Sequence, residues 1–158
     1  MILDERTELA DANSVALAAG TTVLGDVIDL SLVNPYDLGL GEDIWMILQT
    51  DTSIITGGVA GTIQFSVVSD ALTTLGGATV AGCTLHAQTA ALVTGGSASG
   101  VLVAGQTILA IKLPAGANYE RYLGVLVTVG TTTTTAGKVN AFITRDYARW
   151  LPLADAVN

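Results

Sequence analysis

Charged residues are scarce in this 158-residue sequence, where they make up 13% of the chain, about half the usual share. Lysine and arginine together contribute six residues, which form no cluster, against fourteen aspartates and glutamates. The resulting net charge of −8 is the opposite of the basic surface that nucleic acids and anionic membranes attract. We therefore expect a protein that binds neither nucleic acid nor membranes.

Cysteine and histidine each occur once, as Cys83 and His86. A zinc site needs several such ligands, and any Ser-His or Cys-His catalytic pair would have to use His86. Residues three apart on a strand face opposite sides, so Cys83 and His86 are poorly placed to bond to each other. We expect a half-buried, hydrogen-bonded His86, no cofactor, no metal and no enzymatic activity, with a structural calcium held by carboxylates alone as the alternative to a metal-free chain.

Nucleotide-binding motifs are incomplete as well. A phosphate loop needs a first glycine and a hydroxyl after its lysine, but the segment "TTTTTAGKV" has Thr132 and Val139 at those positions. The segment "GLGEDI" has Ile44 where a dinucleotide fingerprint needs a third glycine. Neither segment supports a nucleotide site.

Short β-strand patterns fill most of the chain. In "TIQFSVV", for example, Ile63, Phe65 and Val67 alternate with polar residues, which is the period of a half-buried strand. The sequence predicts strands at Val15–Ala19, Val23–Leu32, Ile44–Thr50, Thr62–Val68, Thr79–His86, Val101–Lys112, Arg121–Val129 and Lys138–Arg145.

Glycine-rich breakers such as "TGGVAG", "LGGA" and "TGGSASG" separate these strands. Many short strands with regular turn signals predict an all-β protein, an antiparallel jelly roll or β-sandwich of about eight strands. We expect one domain over residues 1–158, with an N-terminal arm or short helix at 1–14 and a C-terminal tail at 146–158.

A charge-free run extends from Ala71 to Ile111. Two interpretations fit it: uncharged strands coated with Thr and Ser, or a face that another chain covers, because interface cores are depleted in charge.

The stretch from Arg121 to Arg145 predicts a hairpin with a threonine-rich tip. Gly130 and Gly137 bracket the tip as expected positive-φ positions. Its five threonines are uncharged and rich in hydroxyls, which suits a protruding loop that contacts a neighbouring subunit. They are Thr131, Thr132, Thr133, Thr134 and Thr135.

Other residues are candidates for turns or contacts. Asp37 can accept a bond from a turn amide, while Gly39 and Gly41 allow positive φ before a strand. Glu42 and Arg121 either pair or stay independent in solvent. Tyr119 and Tyr122 cannot both be core, so one of them becomes a contact candidate. Apolar residues near the chain ends either pack on their own subunit or contact a partner; these are Ile2, Leu3, Leu9, Trp150 and Leu153.

The order of several motifs resembles one known family. "MILD" at Met1–Asp4, "DA" at Asp11-Ala12 and "VIDL" at Val27–Leu30 precede "DLGLGE" at Asp37–Glu42. Later come "RYL" at Arg121–Leu123 and "TAG" at Thr135–Gly137. Together they resemble the jelly-roll capsid cement, or decoration, proteins of short-tailed bacteriophages, the family of the Bordetella podophage cement protein.

This resemblance implies a structural virion protein. Cement proteins are made in the host cytoplasm and sit on the capsid exterior, where they bridge major capsid protein subunits. The implied partners are the phage major capsid protein and other copies of the chain, as a homodimer or, alternatively, a trimer. The competing hypothesis is a β-sandwich carbohydrate-binding or adhesin-like module on the virion surface.

Overall fold

Ten β-strands form two antiparallel sheets in the part of the chain that the computed structural model describes, residues 7–32 and 42–147. The strands are β1 (Glu8–Ser14), β2 (Gly20–Val23), β3 (Ile28–Asp29), β4 (Trp45–Thr56), β5 (Gly61–Asp70), β6 (Thr84–Gln88), β7 (Leu92–Thr94), β8 (Thr107–Lys112), β9 (Tyr122–Gly130) and β10 (Thr134–Thr144). Single helical turns lie at Leu30–Leu32, Leu75–Ala78, Val80–Gly82 and Gly100–Leu102. None of these described helices has the length and apolar character needed to span a membrane.

The strand order is that of a jelly roll. One sheet runs β1-β10-β4-β8 and the other β2-β9-β5-β6, with β3 added to β9 and β7 to β5. Strands from the first half of the chain pair with strands from the second half in reverse order: β1 with β10, β2 with β9, β4 with β8 and β5 with β6. This nested pairing is that of a long hairpin folded into two sheets. The predicted all-β jelly-roll or β-sandwich fold is confirmed.

Alternating apolar residues fill the space between the sheets. In β5 the buried side chains of Ile63, Phe65 and Val67 belong to the main core, as do Val125 and Val127 of β9. The same period places Met46 and Leu48 of β4 in that core. These strands follow the period-two pattern of the sequence because each has one face against the opposite sheet.

A smaller apolar cluster covers the outer face of the β2-β9-β5-β6 sheet. Leu75 is fully buried there with Val68 and Leu126. Gly124 leaves room for it, since a Cβ at that position would lie 2.6 Å from Leu75 Cδ1. The turn that carries Leu75 therefore packs directly on the middle of the sheet.

Several strand boundaries differ from the prediction. Val15–Ala19 contains no strand, and Val23–Leu32 holds only the end of β2, the short β3 and a helical turn. The predicted Val101–Lys112 strand begins only at Thr107, and the predicted Thr79–His86 strand only at Thr84. In both cases a single helical turn occupies the start of the segment, because closely spaced glycines interrupt the extended backbone.

The N-terminal arm is a strand from Glu8 onward. β1 pairs with β10 at the edge of its sheet, so the helical alternative for residues 1–14 is wrong over Glu8–Ser14. Pairing with a neighbouring strand overrides the modest helical propensity of this segment. Some predicted residues lie outside the described part of the chain: Ile2, Leu3, Asp37, Gly39, Gly41, Trp150 and Leu153.

The threonine tract is not the tip of a hairpin. β9 and β10 belong to different sheets, and residues 131–133 carry the chain across from one to the other. Thr134 is buried and already part of β10. Gly137 has the predicted positive φ (139°), but Gly130 does not, and Thr131 (φ 67°) makes the turn instead. The predicted protruding hairpin is therefore wrong.

Replacing Thr134 with valine should lower the free energy of unfolding by about 1–3 kcal/mol, because buried partners would lose their hydrogen bonds. The Thr134 hydroxyl donates to the Val15 carbonyl and accepts the Leu17 N–H at 2.9 Å. Thr135→Val is the matched control, since the Thr135 side chain is exposed and its bond to Ile55 is long, at 3.4 Å. Urea denaturation of both variants measures the difference; equal losses would contradict this role for Thr134.

Candidate interaction surface

One end of the sandwich collects charged side chains, and we call it the charged end. Arg121 donates to Asp29 through Nε (3.1 Å) and Nη2 (2.9 Å). These bonds, with the Ser31 N–H, hold the pKa of the Asp29 carboxyl well below its usual range. Two further ion pairs join Lys112 to Asp43 and Arg145 to Glu42. Because all three pairs are substantially exposed, they add little stability.

The opposite end carries no charge, and we call it the uncharged end. It consists of residues 57–60, 93–99 and 130–135, none of which is Asp, Glu, Lys or Arg. The strand registers bring these segments together: Thr134 pairs with Thr56, Thr62 with Gly130, and Gly61 with Thr94.

Hydrogen bonds tie the loops of the uncharged end into one unit. The Thr56 N–H donates to the Gly95 carbonyl at 2.9 Å, and the Thr56 hydroxyl donates to the Val59 carbonyl. Gly58 and Gly96 approach so closely that a Cβ on Gly96 would lie 3.2 Å from Gly58 Cα. The backbone of these loops is thus held in place by neighbouring strands and loops.

Exposed apolar and hydroxyl side chains cover this end. Val59 and Val93 are 61% and 67% exposed, and large aliphatic residues this exposed often mark contact sites when they cluster. Thr131, Thr133 and Thr135 are exposed beside them, and Thr132 is half-buried. Four of the five threonines proposed for subunit contact are therefore accessible, whereas the buried Thr134 is not.

Several other predicted site residues have ion-pair partners or burial that differ from the prediction. Glu42 pairs with Arg145 and Arg121 with Asp29, so the Glu42–Arg121 pair does not form. Leu9 and Tyr119 are buried in the main core, which removes both as contact candidates. Tyr122 is the less buried of the two tyrosines, and the Arg121 guanidinium lies 4.9 Å from its ring centroid.

A serine and the single histidine form one hydrogen-bonded pair. Ser69 Oγ lies 2.8 Å from His86 Nε2 and accepts the Glu120 N–H at 3.0 Å. The imidazole also stacks on Tyr119, with ring centroids 4.3 Å apart. Ser69 is fully buried, so a substrate cannot reach its hydroxyl and the pair is structural in this conformation. The expected half-buried, bonded His86 is confirmed.

Cys83 is a poor nucleophile in these surroundings. Burial raises the pKa of its thiol, and the nearby Asp70 and Glu120 carboxylates raise it further. Within residues 7–32 and 42–147, no three His, Cys, Asp or Glu side chains lie close enough to hold a metal ion.

Acidification should weaken the fold through His86. Burial lowers the pKa of this imidazole from its ordinary value of 6.5, and Glu120 partly opposes the shift. The unfolded chain therefore binds the proton more readily, so stability is lost as the pH falls below 6.5. Urea unfolding of wild type and His86→Gln at pH 7.0 and about pH 5.5 should show a smaller loss for the variant. Identical losses would contradict a contribution from His86.

The uncharged end was only partly visible in the sequence. The run from Ala71 to Ile111 was recognised, but two further segments, 52–69 and 122–137, are equally free of charge. Residues 52–69 contain the turn between β4 and β5, residues 122–137 the link between β9 and β10, and residues 71–111 the loop after β7. The strand registers bring these three loops to one end. Measuring the number of residues between successive charged residues along the sequence identifies all three segments.

Comparison with known protein families gives a match over most of the chain. A family model described as Bbp16 matches residues 9–143, which is well over half of the chain. The matched region runs from the second residue of β1 to the penultimate residue of β10. A comparison with curated proteins found no match.

Proposed function

The chain belongs to the Bbp16 family, whose name indicates a Bordetella phage protein. From this premise we propose that it is a structural protein of the virion that cements the capsid. In this proposal it binds the outside of the phage head, bridges neighbouring major capsid protein subunits and catalyses no reaction. The family match supports the phage origin. The order of the sequence motifs, which resembles that of capsid cement proteins, and the surface of the molecule support the cement role.

The separation of charge between the two ends of the sandwich carries the proposal. A protein that coats a particle presents one surface to the shell and another to the medium. Burying the uncharged end avoids the desolvation cost of ionised side chains, and its threonine hydroxyls and loop backbone can bond to a partner. The charged end, which includes Glu42, Asp43 and Glu120, would face the solvent and keep particles apart. We therefore assign the uncharged end to the head surface.

The jelly roll suits a load-bearing role. β4, β5, β9 and β10 each run the whole distance between the two ends, and two long ladders, β4–β10 and β5–β9, connect them within the sheets. A force applied between the ends is thus carried by many backbone hydrogen bonds. Because many copies bind one head, each individual contact can be weak.

Sedimentation with heads assembled without this protein tests the proposal. Purified protein should co-sediment with such heads, reach saturation, and raise the temperature at which they release DNA. A bound fraction no larger than that of an unrelated acidic protein, with no gain in head stability, would contradict the cement function.

A glycan array separates this proposal from the carbohydrate-binding alternative. Such modules present exposed aromatic rings, whereas Trp45 here stacks on Tyr147 with centroids 4.3 Å apart. We expect no glycan signal from the protein. Specific glycan binding without binding to heads would favour the alternative.

A further inference from the structure

The loop that joins β8 to β9, residues 113–121, crosses from one sheet to the other at the charged end. Its backbone is anchored at both ends. The Leu113 N–H donates to the Ile44 carbonyl at 2.8 Å, and the Arg121 carbonyl accepts the Leu30 N–H at 2.7 Å. The residues between these two anchors belong to neither sheet, so side-chain contacts have to hold them against the sandwich.

Three side chains of β5 and β6 hold the last part of this loop. The Glu120 N–H donates to Ser69 Oγ at 3.0 Å, and the Thr84 hydroxyl donates to Glu120 Oε1 at 2.8 Å. The His86 imidazole stacks on the buried Tyr119 ring with centroids 4.3 Å apart, and its Nε2 lies 2.8 Å from Ser69 Oγ. His86 thus contacts both the ring that the loop inserts and the serine that binds the loop backbone. We call these five residues the histidine clasp.

A neutral imidazole completes the hydrogen bonding of the buried serine. Because Ser69 Oγ accepts the Glu120 N–H, its own hydrogen can be donated to His86 Nε2, which assigns the imidazole hydrogen to Nδ1. A protonated imidazole is a donor at both nitrogens, so Nε2–H would point at Ser69 Oγ and could no longer accept the serine hydrogen. Ser69 is fully buried, and losing this acceptor therefore costs free energy.

The elements packed against His86 carry five titratable or charged groups: Asp70 at the end of β5, Cys83 just before β6, and Tyr119, Glu120 and Arg121 on the loop. Arg121 pairs with Asp29, and Asp70 accepts the Gly76 N–H. Glu120 favours the charged imidazole, but burial acts more strongly and holds the pKa of His86 below its ordinary value of 6.5. The closed clasp therefore favours the uncharged imidazole.

We propose that the histidine clasp is an acid-sensitive latch: protonation of His86 releases residues 114–120 from β5 and β6 while both sheets remain folded. Release lets the Ser69 hydroxyl and the imidazole bond to water, so the added proton no longer costs a hydrogen bond. In water the imidazole has its ordinary pKa of 6.5, above that in the closed clasp, so the open form gains population as the pH falls below 6.5. The backbone anchors at Leu113 and Arg121 confine the opening to the loop. The latch needs no partner and does not rest on the cement function.

Amide hydrogen exchange of the intact chain, followed by NMR at about pH 7.5 and about pH 5.0, tests the proposal. After correction for the intrinsic exchange rate, the protection factor of the Glu120 amide should fall at least about fivefold on acidification. In low urea it should stay nearly constant, because a local opening exposes little surface. Amides in the middle of β5 and β9, such as those of Val67 and Val125, should instead lose protection steeply with urea. In His86→Gln, whose side chain does not titrate, the Glu120 amide should keep its protection at the lower pH.

His86→Gln/Gln88→His is the matched control, because it keeps one histidine on β6 but moves it out of the clasp. Its Glu120 amide should also keep its protection at the lower pH. A wild-type Glu120 amide with the protection and urea dependence of the Val67 amide at both pH values would overturn the proposal, since the loop would then open only when the whole domain unfolds. This measurement on wild type decides the matter even if a variant fails to fold. Acid-induced loss of protection in the control equal to that of wild type would also overturn it.

Discussion

Replacing Gly137 with alanine should lower the free energy of unfolding by about 2–5 kcal/mol, through backbone strain and overpacking together. Gly137 has a φ of 139°, which an L-residue rarely adopts. A Cβ there would lie 2.8 Å from Ile54 Cγ1 and 3.0 Å from Ile54 Cα. The backbone atom cannot move aside by a side-chain rotation, so β10 and β4 would have to separate.

Gly20→Ala is the control for Gly137→Ala. Gly20 has a similar positive φ (145°), but a Cβ there has no neighbour within 4 Å. Its replacement should cost only the conformational strain, about 1–3 kcal/mol. Urea unfolding measured on both variants separates strain from packing. Equal losses at the two positions would show that the contact with Ile54 contributes nothing.

Two negative charges at the uncharged end should abolish binding to heads. In Val59→Asp/Val93→Asp, both new carboxylates would lose their hydration when the end meets the shell. We expect at least about a hundredfold weaker binding, because truncating or mismatching central interface positions costs 2 kcal/mol or more each. Both valines are more than 60% exposed in the isolated chain, so the fold should be retained.

A charge-matched variant controls for general repulsion. Ser31→Asp/Asn118→Asp would add the same two charges near the charged end, where Asp29 and Glu120 already lie, and both side chains are exposed. The control should bind heads within a few-fold of wild type. Equal loss in both charge variants would mean that net charge, and not the uncharged end, determines binding.

The sequence predicted the fold class well where one face of a strand is buried. The predicted bounds of β5 and β9 lie within two residues of the observed ones, because Ile63, Phe65 and Val67, or Val125 and Val127, alternate against the core. The segments without such a pattern were missed. β10 begins at Thr134, four residues before the predicted start, because a threonine run carries strand propensity without alternation.

Side-chain partners were less predictable than strands. Arg121 meets Asp29 because Tyr122 pairs with Asp29 in the β3–β9 ladder, and Glu42 meets Arg145 because β4 and β10 are neighbours. Both contacts depend on which strands pair, and sequence spacing contains no information on this. The composition of the uncharged end can be predicted from the sequence. Its assembly from three segments cannot, because it depends on the jelly-roll order of the strands.

Hydrogen exchange on the assembled head tests whether the uncharged end is the surface that binds the shell. When heads saturated with the protein are compared with the free protein, backbone amides in residues 57–60, 95–99 and 131–133 should be protected. Amides at the charged end, such as those of residues 42–44, should exchange as they do in the free chain. Protection confined to the charged end, with unchanged exchange at the uncharged end, would contradict assignment of the uncharged end to the head surface.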